Sequence, residues 1–188
     1  MKSLILLMLL VVGCGKDAQH TTTDITVMGD SIAAGVHYSI VNSAVKTTNW
    51  WTQLSEETSS TEGVSGATIN YLLTKQDRYS LKTVIVFMGF NNLKHPEQNV
   101  NDIVGLYQTF LNRINAKKII CVGVPHVQND KLTLWYTPYD DELNNRITQF
   151  NSSIKDLCEN YVDTSDVDTV DGIHPEYELI IERIKDLL

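Results

Sequence analysis

Proline, glycine and cysteine are all sparse in this 188-residue chain, with 4 Pro, 10 Gly and 3 Cys. So little Pro and Gly excludes collagen-like and low-complexity chains, and no Cys/His spacing points to a zinc site. Positive charge is also short: 15 Lys and Arg stand against 23 Asp and Glu, a formal net charge of −8. That sign repels phosphate backbones, so nucleic acid is not an expected partner. No apolar run approaches the ~20 residues that cross a bilayer, and no internal repeat is present. What is there is ordinary for a folded globular protein, 43% hydrophobic and 20% charged, and its length suits one domain with a sizeable core.

The longest apolar stretch lies at the N-terminus, where Met1 to Val12 carries a single Lys before an unbroken hydrophobic run. It reads as a signal peptide covering residues 1–13. Val11-Val12-Gly13-Cys14 resembles the lipobox of bacterial lipoproteins, which implies lipidation of Cys14, export, and a membrane tether in the bacterial cell envelope. Residues 14–23 are then a small, polar, flexible spacer, leaving 24–188 as the domain. The other two cysteines are Cys121 and Cys158. An exported location allows them to pair. The placement of Cys121 in Ile119-Ile120-Cys121-Val122 favours instead a buried small hydrophobe.

Within the domain, β-branched runs at Asp24 to Met28, Thr83 to Met88 and Lys118 to Val124 predict buried parallel strands, with two more near Thr61 to Val64 and Tyr161 to Asp163. Helical patterns occupy Ile32 to Val45, Trp50 to Leu54, Ala67 to Leu73, Val100 to Ile114, Glu142 to Cys158 and Tyr177 to Leu188. Alternation of strand and helix predicts an α/β, doubly wound fold with about five parallel strands, whose working residues lie at the C-terminal strand ends.

Those ends carry the candidates. Ser31 follows Gly29-Asp30 at a strand-to-helix junction, where developing negative charge is favoured. Asp171-Gly172-Ile173-His174-Pro175 sets a carboxylate three residues before an imidazole, close enough to hold one ring nitrogen while the other faces a nucleophile. Gly66 and Asn91 end two further strands, where a backbone N–H and a side-chain amide can converge on an oxyanion. Singly, each has a structural explanation: an N-cap, a surface turn, a turn glycine, a turn asparagine.

Together and in this order they resemble the SGNH (GDSL-type) serine hydrolases. The four blocks are Gly29-Asp30-Ser31-Ile32, Gly63 to Thr68, Gly89-Phe90-Asn91-Asn92 and Asp171 to Pro175, and the likeness runs from Asp24 to about Leu188. The resemblance implies a flavodoxin-like three-layer α/β/α sandwich. It also implies hydrolysis of carboxylic O-acyl esters, with catalytic residues Ser31, Asp171 and His174, an oxyanion hole of Ser31, Gly66 and Asn91, and neither metal nor organic cofactor. Two departures stand out. Ile32 replaces the Leu of the signature, a change of little volume, and Asn92 replaces the Asp that usually ends the third block, which removes a charge beside Asn91.

The expected substrate is a small-molecule or polymeric ester, a carbohydrate O-acyl ester of short chain or else a lipid in the manner of a lysophospholipase or thioesterase. Pro125 to Asp141 is long for a connection and carries Trp135, Tyr136 and Tyr139, so it reads either as a wall over the crevice or as a loop pinned by its own aromatics. Phe90, Leu93, His95 and His126 are further rim candidates, whereas Trp50 and Trp51 read as core. The absence of a Gly-x-Ser-x-Gly elbow disfavours an α/β-hydrolase. A tethered, non-catalytic binding module is the rival from another class, and a flavin-binding or receiver domain ranks behind it.

Overall fold

Residues 25–39, 44–54, 59–74, 80–132 and 138–188 are described by a computed structural model. Cys14 and the segment around it lie outside the described residues, as do Trp135 and Tyr136. Five strands form one parallel sheet: β1 (Ile25–Gly29), β4 (Ser59–Gly63), β5 (Ser80–Phe87), β6 (Asn115–Val122) and β7 (Asn160–Val162), in the order β4-β1-β5-β6-β7. This is the flavodoxin-like order, with the reversal of strand order at β1 and β5. Every residue of β1 is buried, as expected of a strand covered on both faces.

The helices are α1 (Ile69–Leu73), α2 (Phe90–Leu93), α3 (Val100–Leu111), α4 (Leu143–Leu157) and α5 (Tyr177–Lys185). In α3 the buried residues Val100, Ile103, Tyr107 and Phe110 recur at three and four, and Leu143, Ile147, Phe150 and Ile154 do the same in α4. α3 packs on α4 and α1, whereas α5 contacts β7 and a 3-10 turn at Trp50–Gln53. Trp50 stacks on Tyr177 there, with centroids 5.2 Å apart and ring planes 12° from parallel. The expected core role of Trp50 holds; it is 1% exposed.

Two expectations are corrected. Ile32 to Val45 is not a helix: a turn over residues 31–35 leads into a hairpin of β2 (Val36–Ser39) and β3 (Ala44–Thr47). Gly35 breaks the helical pattern with φ +66°, and a Cβ there would stand 2.0 Å from the Thr48 carbonyl oxygen. Val36, Tyr38 and Val45 are also strand formers by residue type. The second correction concerns Cys121, which is fully buried as expected but bonded to Cys158. Burial does not exclude pairing, since Cys158 directly follows α4 and its Cα lies 6.2 Å from that of Cys121. Among the described residues no helix is long and apolar enough to cross a membrane.

Candidate active site

Three of the four site blocks start where a sheet strand stops, and the fourth, Asp171 to Pro175, follows β7 across a loop. β1 ends at Gly29, and Asp30 turns the chain: its Oδ1 accepts from Ile32 N at 3.0 Å while its carbonyl accepts from Ala34 N at 3.0 Å. That turn presents Ser31 at the C-terminal edge of the sheet. β4 and β5 flank β1, with Gly29 opposite Gly63 on one side and Phe87 on the other. Gly66 and Asn91, which follow those two strands, therefore lie on either side of the Ser31 turn. Gly66 has φ +77°, and a Cβ there would meet nothing within 4 Å, so its need for glycine is conformational.

Ser31, His174 and Asp171 form one hydrogen-bonded line. His174 Nε2 lies 3.0 Å from Ser31 Oγ, and His174 Nδ1 lies 2.8 Å from Asp171 Oδ2. The other carboxylate oxygen, Oδ1, accepts from Ile173 N at 3.1 Å and His174 N at 2.8 Å. Asp171 is completely buried and His174 is 4% exposed, so the pair is shielded and the carboxylate is held by directed bonds rather than by water. Tyr177 Oη donates to Ile32 O at 2.8 Å, tying the start of α5 to the Ser31 turn.

The Asn91 amide is held at both ends. Its Nδ2 donates to Ala67 O at 3.1 Å, and its Oδ1 accepts from Lys94 Nζ at 2.9 Å. Asn92, the departure from the third block, is fully employed: Oδ1 accepts from Ile69 N at 2.9 Å and Nδ2 donates to Gln98 at 3.2 Å. A carboxylate could do the first but not the second. Asn92 thereby joins the Asn91 turn to the start of α1, the segment that follows Gly66.

Asp30 is a strongly displaced carboxyl beside this line. Burial pushes it up to about 6, against opposing pulls from Ile32 N–H, His174, Gly89 N–H and Lys94. Its Oδ2 has no hydrogen-bond partner.

The long connection after β6 serves the His174 loop. Gln128 N donates to Gly172 O at 2.9 Å, and Gln128 Oε1 accepts from Thr169 N at 3.0 Å and from Thr169 Oγ1. Lys131 Nζ pairs with Asp168 and donates to Thr169 O at 3.3 Å. Gln128→Ala should therefore destabilise the protein by about 1–3 kcal/mol, because Thr169 is buried, its Oγ1 loses its acceptor and its N–H keeps only Asp168 Oδ1 at 3.1 Å, whereas Gln128→Glu, which keeps an acceptor but sets a carboxylate against Asp168, should recover only part of the loss. Thermal melts of the two variants check this, and an unchanged Gln128→Ala would mean that the remaining bonds hold the loop.

Of the rim candidates, Tyr139 packs edge-on against Phe90 at 5.6 Å. Leu93 is core rather than rim, fully buried, and His126 is engaged by Thr148 at 2.9 Å. His95, half-buried, sits 3.4 Å from Glu97.

The sequence profile of the GDSL-like lipase/acylhydrolase family matches residues 27–183, which include all four blocks. The chain belongs to that family. This acylhydrolase is an enzyme of ester-bond hydrolysis, and solved structures share its fold. An aryl esterase from M. smegmatis superposes with a TM-score of 0.67 at 18% identity, covering 87% of this chain and 99% of that one. A carbohydrate acetylesterase from Sinorhizobium meliloti gives 0.65 at 17% identity, with coverage of 87% and 99%. A lipase/acylhydrolase from Enterococcus faecalis gives 0.64 at 17%, with coverage of 87% and 96%. No curated protein sequence matches the acylhydrolase. The three-layer α/β fold inferred from its sequence is the fold observed. Lys94, Gln128 and Tyr177 are site residues that sequence reasoning missed; only their nearness in sequence to Asn91, His126 and His174 marked them.

Proposed function

We propose that this acylhydrolase is a serine esterase that removes short, acetyl-type acyl groups from O-acyl esters such as those of carbohydrates. The observation that carries the reading is the unbroken line Ser31 Oγ, His174 Nε2, His174 Nδ1, Asp171 Oδ2, with steps of 3.0 and 2.8 Å between residues. In the first half-reaction Ser31 Oγ attacks the ester carbonyl and His174 Nε2 takes its proton. The imidazolium returns that proton to the leaving alcohol, and an acyl group stays on Ser31. Water then attacks the acyl-enzyme by the same route, releasing the carboxylic acid. Asp171 holds Nδ1–H and so keeps Nε2 free to accept.

The tetrahedral oxyanion is assigned to the N–H groups of Ser31 and Gly66 and to the Asn91 amide. Ala67 O takes one of the two Nδ2 hydrogens of Asn91, which leaves the other for substrate. Support for a short acyl group comes from the acetylesterase and aryl esterase among the structural relatives. We place the enzyme outside the cytoplasm, tethered through Cys14. The Cys121–Cys158 bond supports an oxidising compartment, and acid hydrolysis of the purified envelope protein followed by mass spectrometry would detect the acyl chains.

The test of activity is hydrolysis of aryl esters from acetate to dodecanoate, with Ser31→Ala in parallel. Wild type should prefer the shortest esters, and Ser31→Ala should lose ~10³-fold or more. An optimum at long chains would turn the reading to a lipid esterase. Equal inactivity of both folded proteins would turn it to a tethered binding module.

A further inference from the structure

We propose that Lys94 is a positioning residue for the oxyanion site, holding the Asn91 amide in its working orientation and strengthening it as a donor; this rests on the esterase reading above. A primary amide has nearly the same shape at its O and N ends, so its useful orientation must be set by neighbours that tell them apart. Two neighbours do so. The Ala67 carbonyl can only accept, and it takes Nδ2 at 3.1 Å; the Lys94 ammonium can only donate, and it takes Oδ1 at 2.9 Å. A flipped amide would set NH2 against an ammonium and oxygen against a carbonyl oxygen, losing both bonds at once.

The placement of Lys94 is itself determined. It caps the short α2, its backbone N–H donating to Phe90 O and Asn92 O, and its half-buried side chain reaches back three residues to Asn91. A cation on the amide oxygen draws electron density from the amide nitrogen and makes the remaining N–H a stronger donor. The positive charge is already in place when the oxyanion forms, so no reorganisation is needed at that moment. Lys94 acts through Asn91.

The experiment uses the full chain with an aryl acetate and an alkyl boronic acid, which forms a tetrahedral adduct on Ser31. Lys94→Met should lower kcat by on the order of tenfold, less than the ~10²–10³ seen when an oxyanion donor is removed. KM and Tm should stay close to wild type, and boronate affinity should fall in step with kcat/KM. Lys94→Arg should restore most of the loss. In an Asn91→Ala background, Lys94→Met should have no further effect. An unchanged kcat in Lys94→Met, or an equal loss with and without Asn91, overturns the proposal. Loss of Tm without a selective loss of boronate affinity overturns it as well, because the role would then be structural. Ser31→Ala is run alongside: its full activity would defeat the esterase reading, whereas its inactivity beside an unaffected Lys94→Met defeats only the assignment to Lys94.

Discussion

Asp171→Asn is expected to lower kcat by ~10³–10⁴-fold while leaving the protein folded. The reason is the direction of the hydrogen bonds around that side chain. Asp171 Oδ1 accepts from two backbone donors, Ile173 N and His174 N, and Oδ2 faces His174 Nδ1. An asparagine at this position must turn its oxygen to the two backbone N–H groups, since the opposite orientation opposes NH2 to both of them. Its Nδ2 then donates to His174 Nδ1, which is forced to accept. The proton of the neutral imidazole moves to Nε2, and the atom facing Ser31 Oγ can no longer take a proton. Geometry survives and the base is lost. Kinetics on an aryl acetate together with a thermal melt check this. A loss below tenfold in a folded variant would mean that Asp171 does not set the imidazole tautomer.

What sequence could and could not reveal follows from how far apart the interacting groups are along the chain. β1, Ile25–Gly29, was legible to within one residue because a strand buried on both faces is apolar or β-branched almost throughout, as Ile25, Thr26, Val27 and Met28 are. β5 and β6 begin earlier than expected, at Ser80 and Asn115, because Ser80-Leu81-Lys82 and Asn115-Ala116-Lys117 set a single apolar residue between polar ones and carry no such signal. Val36 to Thr47 forms a hairpin against its helical pattern because tertiary closure, Thr48 N to Gly35 O at 2.8 Å, decides between two weak local patterns. Asp171 and His174 were legible because their bond spans three residues. The Gln128 to Thr169 bond spans 41 and the Tyr177 to Ile32 bond spans 145, and no local pattern predicts either. Cys121 shows the same limit: its burial was written in the apolar run around it, and its bond to Cys158 depended on where α4 ends.

Asp30→Asn is expected to stabilise the protein in a way that grows with pH. Burial pushes the wild-type carboxyl up to about 6 in the folded protein, from the 3.8 of an ordinary aspartate. A raised folded value means that the native state holds the proton more tightly than the unfolded chain does. The contribution of Asp30 to stability is therefore fully present below pH 3.8 and is lost as pH rises through 6, after which it is flat. A rise of that size corresponds to about 3 kcal/mol. The asparagine does not titrate, so the stability difference between variant and wild type should open by that amount between about pH 4 and pH 7.5, or roughly 6–12 °C in Tm for a chain of this size. The pH dependence is the decisive part. Asn keeps an oxygen for Ile32 N but offers NH2 where the Gly89 N–H draws on the carboxylate, and that constant penalty cancels when the difference is followed along the pH axis. A difference that stays level from pH 4 to 7.5 would show that Asp30 titrates as an ordinary carboxyl. If it opens, the ionised carboxylate is retained next to Ser31 at a cost in stability, beside His174 and Lys94, the two groups whose positive charge it attracts. One of these becomes an imidazolium each time Ser31 gives up its proton. A fixed negative charge in this buried position favours that state over neutral histidine, so the same variant should also turn over more slowly above pH 7.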